Sequence, residues 1–198
     1  MNYRKITEHL LGKLNFNETY LFYVLSFKSD YNTYESHVLQ ETLAKLVNSK
    51  VDTISKSVNK FQNEGLLTIK QTITPTSKRN AYYLKTENYR LISDSLLNID
   101  KKLAGFLIQF KMLCYNDNNN CDYDKVTIAD KMNVSRPTLD KYLKLAIDGG
   151  YIKETKTGWK LTDDKTFIVC SESVIAKVKK IYPSILTDED LMLGYITD

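Results

Sequence analysis

The chain has 198 residues, enough for one large core or two small ones, and 42% hydrophobic against 26% charged residues describe a folded protein rather than a disordered one. A formal net charge of +4 permits a nucleic-acid partner without demanding one, because binding depends on where the charge sits. No apolar run reaches the ~18 residues of a membrane span. The N-terminus lacks the features of a secretory signal, and three cysteines (Cys114, Cys121 and Cys170) without CxxC spacing point to a reducing cytoplasm. The two histidines, His9 and His37, lie far apart, so neither a metal nor another cofactor is expected.

Asn17 reads as the N-cap of a first helix carrying Tyr20, Leu21, Val24, Leu25 and Phe27. A polar loop, Ser29 to Ser36, leads to a short second helix near Thr42, whose hydroxyl would cap the free amides of its first turn. Leu43, Leu46 and Val47 are expected to face inward there, and Ala44 is small where helices must cross. After the turn Asn48-Ser49-Lys50, a third helix runs from Val51 to Asn63 with Ile54, Val58 and Phe61 on its buried face, and Gly65 closes it. Leu66 to Ile69 and Ala81 to Leu84 then read as a hairpin around the turn Thr74 to Asn80, with Lys78 and Arg79 at its tip.

Residues 88–100, with Leu91, Ile92, Leu96 and Leu97, read as a helical linker. Leu103, Phe106, Leu107 and Phe110 follow at i, i+3, i+4, i+7 spacing, the pattern of another helix. Beyond the polar loop Asn116 to Asn120, Thr127 again stands where a cap is expected, with Asp130 three positions on. Ser135 fits an N-cap and Pro137 a first turn, where its missing N–H has no helical partner. Leu139, Tyr142, Leu143 and either Ala146 or Ile147 turn inward, Gly149-Gly150 ends the helix, and Tyr151 to Glu154 with Trp159 to Leu161 make a tighter hairpin around Thr157-Gly158. Residues 163–198 form an extension, with a strand or helix from Lys165 to Ile181, a break at Pro183, and an end from Thr187 that is acidic and apolar by turns.

The middle of the chain is one pattern written twice. Thr42–Asn48 recurs as Thr127–Asn133 and Val51–Leu67 as Arg136–Ile152, at a constant offset of 85 residues. Thr42/Thr127, Ala44/Ala129, Asn48/Asn133, Thr53/Thr138, Lys56/Lys141 and Gly65/Gly150 are identical. The expected fold is therefore mainly α with small β-hairpins (an α+β protein), in two tandem units at 1–87 and 101–162.

Residues 16–84 resemble the winged helix-turn-helix domains of phage and plasmid replication and regulatory proteins, through Tyr20 to Leu25, Glu41 to Leu46, Thr53 to Val58 and Asn63 to Leu67. Residues 103–161 resemble the same superfamily, most of all in Asn133-Val-Ser-Arg-Pro-Thr-Leu139, and the tandem arrangement is similar to that of plasmid initiators with two such domains. The resemblance implies a double-stranded DNA partner and a role in transcription regulation or replication initiation, in a phage or other mobile element.

In this fold the third helix enters the major groove, where each base pair shows a distinct pattern. The side chains not needed for the core are Lys50, Asp52, Thr53, Ser55, Lys56 and Lys60 in the first unit, and Ser135, Arg136, Thr138, Asp140, Lys141 and Lys144 in the second. Arg136 is the candidate for a bidentate guanine contact, unless it pairs with Asp140 one turn later. Thr53 and Thr138 suit a thymine methyl or a phosphate, Lys56 and Lys141 suit phosphates, and Lys78 and Arg79 suit the backbone or minor groove. The alternative is an interaction module that engages a polymerase or replication protein through the winged surfaces and the acidic end. Enzymatic activity is not expected: there is no P-loop and no nucleophile–base arrangement.

Overall fold

The computed structural model describes residues 2–74, 77–169 and 180. Helix α1 (Phe16–Phe27) opens on Asn15, not Asn17: the Asn15 side chain accepts the Glu18 N–H while the Glu18 carboxylate accepts the Asn15 N–H, a reciprocal capping box. Helix α2 (Gln40–Leu46) starts two residues before Thr42, with Leu39 at the cap position and no side-chain cap bond. The turn after it places Asn48 at φ +46°, a left-handed conformation that asparagine tolerates better than most residues. Helix α3 (Val51–Asn63) ends at Gly65, φ +72°, with the Leu66 N–H returned to the Phe61 carbonyl. A three-stranded antiparallel sheet completes the unit, built from β2 (Glu35–Ser36), β3 (Leu67–Thr74) and β4 (Ser77–Leu84) in the order β2-β4-β3. The hairpin register runs from Leu67↔Leu84 to Thr74↔Ser77. Ser77 to Asn80, expected in a loop, are thus strand residues, because the β-branched run Thr72-Ile73-Thr74 extends the ladder almost to the tip.

The second unit repeats this element by element. Asp100 caps α4 (Lys101–Leu113), followed by β6 (Asn120–Cys121) and α5 (Lys125–Met132). Asp124 caps α5 by accepting the Thr127 N–H at 2.7 Å. Thr42 and Thr127 are therefore third residues of their helices, not caps. Asn133 is again left-handed at φ +53°, Ser135 caps α6 (Arg136–Asp148) as expected, and β7 (Ile152–Glu154) pairs with β8 (Trp159–Leu161) in a sheet of order β6-β8-β7.

Two further strands correct the reading of 88–100 as a helical linker. β1 (Tyr3–Thr7) pairs antiparallel with β5 (Tyr89–Ser93), and only Asp94–Asn98 is helical, as a 3-10 turn. Tyr3-Arg-Lys-Ile-Thr-Glu8 is itself repeated as Tyr89-Arg-Leu-Ile-Ser-Asp94, at an offset of 86 rather than 85. The register pairs Lys5 with its own counterpart Leu91, and exchanges Arg4↔Ile92 for Ile6↔Arg90. Antiparallel pairing of equivalent strands about equivalent residues is a two-fold relation. Helices α1 and α4 pack on each other, and Thr19 and Ala104, counterparts of each other, are both fully buried. At that crossing a Cβ on Gly105 would lie 1.9 Å from the Phe16 carbonyl oxygen. Gln109 on α4 donates from its buried amide to the Leu14 carbonyl (2.6 Å) and the Thr19 hydroxyl (2.7 Å).

A single apolar core runs through both units, from Ile6 to Phe167. The first residues of the extension are fastened to it: Ile168 donates its N–H to the Leu91 carbonyl at 3.2 Å, and Phe167 bridges Ile92. Beneath them the fully buried Lys111 ammonium donates to Asn119 Oδ1 and to the Ile168 carbonyl, while Asn119 Nδ2 donates to Phe167 O and Asp164 Oδ1. Cys114 and Cys121 are buried free thiols in contact, and burial pushes Cys114 well above the usual thiol range. Apart from Lys180, the chain beyond Val169, including Cys170, most of the segment expected from Lys165 to Ile181, and the acidic end, lies outside the described residues. No helix among the described residues is long and apolar enough to cross a membrane.

Gly105→Ala tests the crossing. Alanine gains about 1 kcal/mol of helix propensity, but its methyl meets backbone that cannot swing aside, and overpacking costs about 1–3 kcal/mol or more. The clash wins, so the variant should unfold at lower urea than the wild type with an unchanged m-value; equal midpoints would mean that the helices do not meet this closely.

Candidate nucleic-acid interface

The outward face of α3 presents Asp52, Thr53 and Lys56 as exposed side chains, with Lys50 exposed just before it and Ser55 half-buried. Lys60 is different. Its ammonium lies 2.7 Å from Glu18 Oε2 on α1, so it fastens α3 to the first helix instead of standing ready for a ligand. Sequence spacing alone could not reveal this, since the partner is 42 residues away.

On α6, Arg136, Asp140, Lys141 and Lys144 are exposed. Ser135 spends its hydroxyl locally, accepting the Thr138 N–H and sharing a 2.8 Å bond with the Thr138 hydroxyl, and Thr138 is half-buried. Asp140 pairs with Lys125 of α5 at 2.7 Å, so the Arg136–Asp140 alternative gives way to a pair between helices. The Lys141 ammonium lies 5.6 Å from the Tyr142 ring centre. Asp124, through its bond from the Thr127 backbone N–H, is held below the usual carboxylate range. On the first hairpin Arg79 is exposed on β4 opposite Thr72, and Lys78 occupies the next register position, opposite Ile73. Lys70 stacks its ammonium on the Tyr83 ring at 4.6 Å, and Tyr83 donates its hydroxyl to Glu35 at 2.7 Å.

Lys60 apart, the helical candidates fall at the start and along the outer side of α3 and of α6, with Lys56 and Lys141 at the same exposed place in each. The surfaces also differ in a way that the 85-residue offset contains. Leu39, Leu46 and Val51 are 53%, 46% and 38% exposed, whereas their counterparts Asp124, Lys131 and Arg136 are charged. Leu46, expected inside, is therefore exposed, and with Val51 it flanks the α2–α3 turn of the first unit with apolar side chains, while Leu39 lies at the other end of α2. Among the described residues no group of three His, Cys, Asp or Glu side chains could hold a metal ion.

No family model matches this chain, and no curated protein matches it.

The contrast between two lysines of α3 is measurable without any ligand. Lys60→Ala should lower stability by up to about 1 kcal/mol, the ordinary worth of a partly exposed ion pair, and Lys56→Ala should change it by less than about 0.5 kcal/mol. Equal losses in urea titrations would refute the assignment of Lys60 to the scaffold.

Proposed function

We propose that the protein binds double-stranded DNA by sequence, each unit acting as a winged helix-turn-helix, in the regulation of transcription or the initiation of replication of a phage or other mobile element. The observation that carries this reading is the duplication itself: two third helices, each ending a helix–turn–helix and followed by an antiparallel hairpin, each with a lysine at the same exposed position. A helix of this kind fits the major groove, and cations at equivalent places meet phosphates that recur along the duplex. Units related by a two-fold read half-sites in opposite orientation, with centres about 10–10.5 bp apart or a multiple of that distance. The half-sites are unlike, because Arg136 faces one and Val51 the other.

One observation favours a second reading, a protein-docking role for the first unit. The exposed apolar residues that flank the α2–α3 turn, Leu46 and Val51, suit a polymerase or replication protein better than a phosphate backbone.

Selection of duplexes from a random pool, with affinity followed against salt, separates the two. DNA reading predicts an imperfect inverted motif and an affinity that falls steeply as salt rises. The double change Lys56→Glu and Lys141→Glu should abolish retention with the fold intact. No enrichment, and no binding at low salt, would overturn the proposal and turn attention to the apolar turn.

Within that reading Arg136 and the first hairpin do different work. Arg136→Ala should relax base preference at one position of one half-site, at a cost of about 1–3 kcal/mol. Changing Lys78 and Arg79 to Ala should weaken all sequences alike and flatten the salt dependence by about one unit of slope for each phosphate that is no longer neutralised. The selected motif and the salt slope, determined for each variant, distinguish these outcomes.

A further inference from the structure

The two-fold makes each residue of one half a control for its counterpart in the other. Phe16, the first residue of α1, packs its ring edge-on against Phe106 of α4 (5.6 Å between centres) and Tyr142 of α6 (5.0 Å). The counterparts of these three rings across the two-fold are Lys101, Leu21 and Ser57. Where three aromatic rings fill the space beside the second unit, a lysine stem, a branched aliphatic chain and a hydroxymethyl group leave it open beside the first. The result is a cavity of about 170 Å³ between α1, α3 and the start of α4, lined among others by Leu21, Val47, Thr53, Ile54, Ser57 and Lys101.

We propose that this cavity binds a small aromatic carboxylate. The site is open to solvent on one side, and its volume is of the order that holds a single benzene ring, ~150 Å³; the ring would take the place that Tyr142 occupies in the other half. Leu21, Val47 and Ile54, all buried, give the ring an apolar wall. The charge comes from Lys101. Its ammonium donates to the Val47 and Asn48 carbonyls, both at 3.3 Å, using two of its three hydrogens and leaving one for an anion. The carboxylate on the lining, Glu18, is paired with Lys60 at 2.7 Å, which leaves Lys101 as the lining cation without a carboxylate partner among the lining residues. A bound ligand touches α3 through Thr53, Ile54 and Ser57, and the α2–α3 turn through the lysine that holds Val47 and Asn48. Occupancy therefore alters the pose of the helix assigned to DNA; that consequence rests on the DNA reading, whereas binding itself does not.

The test uses the full chain, isotopically labelled, with benzoate, benzyl alcohol and benzylamine as probes and amide chemical shifts as the readout. Benzoate should shift the amides of Leu21, Val47 and Ile54 to Ser57 saturably. Benzyl alcohol, lacking the charge-assisted bond, should bind at least about tenfold more weakly, and benzylamine should not bind. Lys101→Phe and Ser57→Tyr each restore a ring found on the other side of the two-fold, and either should abolish the benzoate response. Lys101→Met keeps the space and should erase the preference for benzoate over benzyl alcohol. No saturable shift in the wild type, or a response that survives in both filled variants, overturns the proposal. A final arm measures DNA affinity with and without benzoate: a change in the wild type that is absent in Lys101→Phe supports the coupling, and an unchanged affinity with benzoate bound overturns it. Benzoate binding without DNA binding leaves the site standing and removes the DNA reading; the converse removes the site alone.

Discussion

Helices α1 and α4 meet so closely, Phe16 carbonyl against the bare Cα of Gly105, that no side chain fits between them, and the placement of both third helices follows from it. The two helices approach at backbone distance there, and Thr19 and Ala104, both small, are fully buried. The antiparallel pairing of β1 with β5 relates the two halves by a two-fold. The helix crossing and the strand pairing thus both hold the two halves together. Because α1 is joined to α3 by the Glu18–Lys60 pair, and α4 packs on α6, the angle between the outward faces of α3 and α6 is set in the core and not by a tether.

Within that symmetric frame the differences between the halves are concentrated where a ligand would meet them. The hairpin of the first unit is the longer and carries Lys70, Lys78 and Arg79 without an acid, while that of the second is short and carries Glu154. The turn surface is apolar in the first unit and charged in the second. Aromatic packing at the start of α1 fills one side of the interface, and its counterpart leaves a cavity. The scaffold residues, in contrast, agree across the halves: left-handed Asn48 and Asn133, and the glycines that close α3 and α6.

Much of the fold is legible because the repeat from Thr42 to Leu67 keeps one offset and because its helices have a clear apolar period. The α+β class, the six α-helices among the described residues and both hairpins follow from that repeat together with the apolar period of the helices that precede each copy. A slip of one residue hides the repeat of Tyr3–Glu8 as Tyr89–Asp94, so the apolar spacing of Leu91, Ile92, Leu96 and Leu97 imitates a helix where the chain forms a strand. Thr42 and Thr127 look like caps because a threonine at the third helical position and one at the cap differ only in where the chain bends. At the candidate interface, exposure of Lys56 and Lys141 follows from helical phase, but the diversion of Lys60 to Glu18 and of Asp140 to Lys125 depends on pairs between elements that no local pattern encodes.

The pairing of β1 with β5 also governs how the chain comes to be folded. Ser93, the partner of Tyr3, is made 90 positions after it. At a synthesis rate of about 5–20 residues per second, the N-terminal strand waits roughly 5–18 s with its backbone groups unpaired. During that interval the helices and hairpin of the first unit have all the residues they need, while Ile6 and the α1 surface that α4 will cover remain in water. The first half is thus born with an open edge and an apolar face, held until the chain supplies its own second half. Closure is then intramolecular and independent of concentration, which is the advantage a fused pair holds over two separate copies that must find each other.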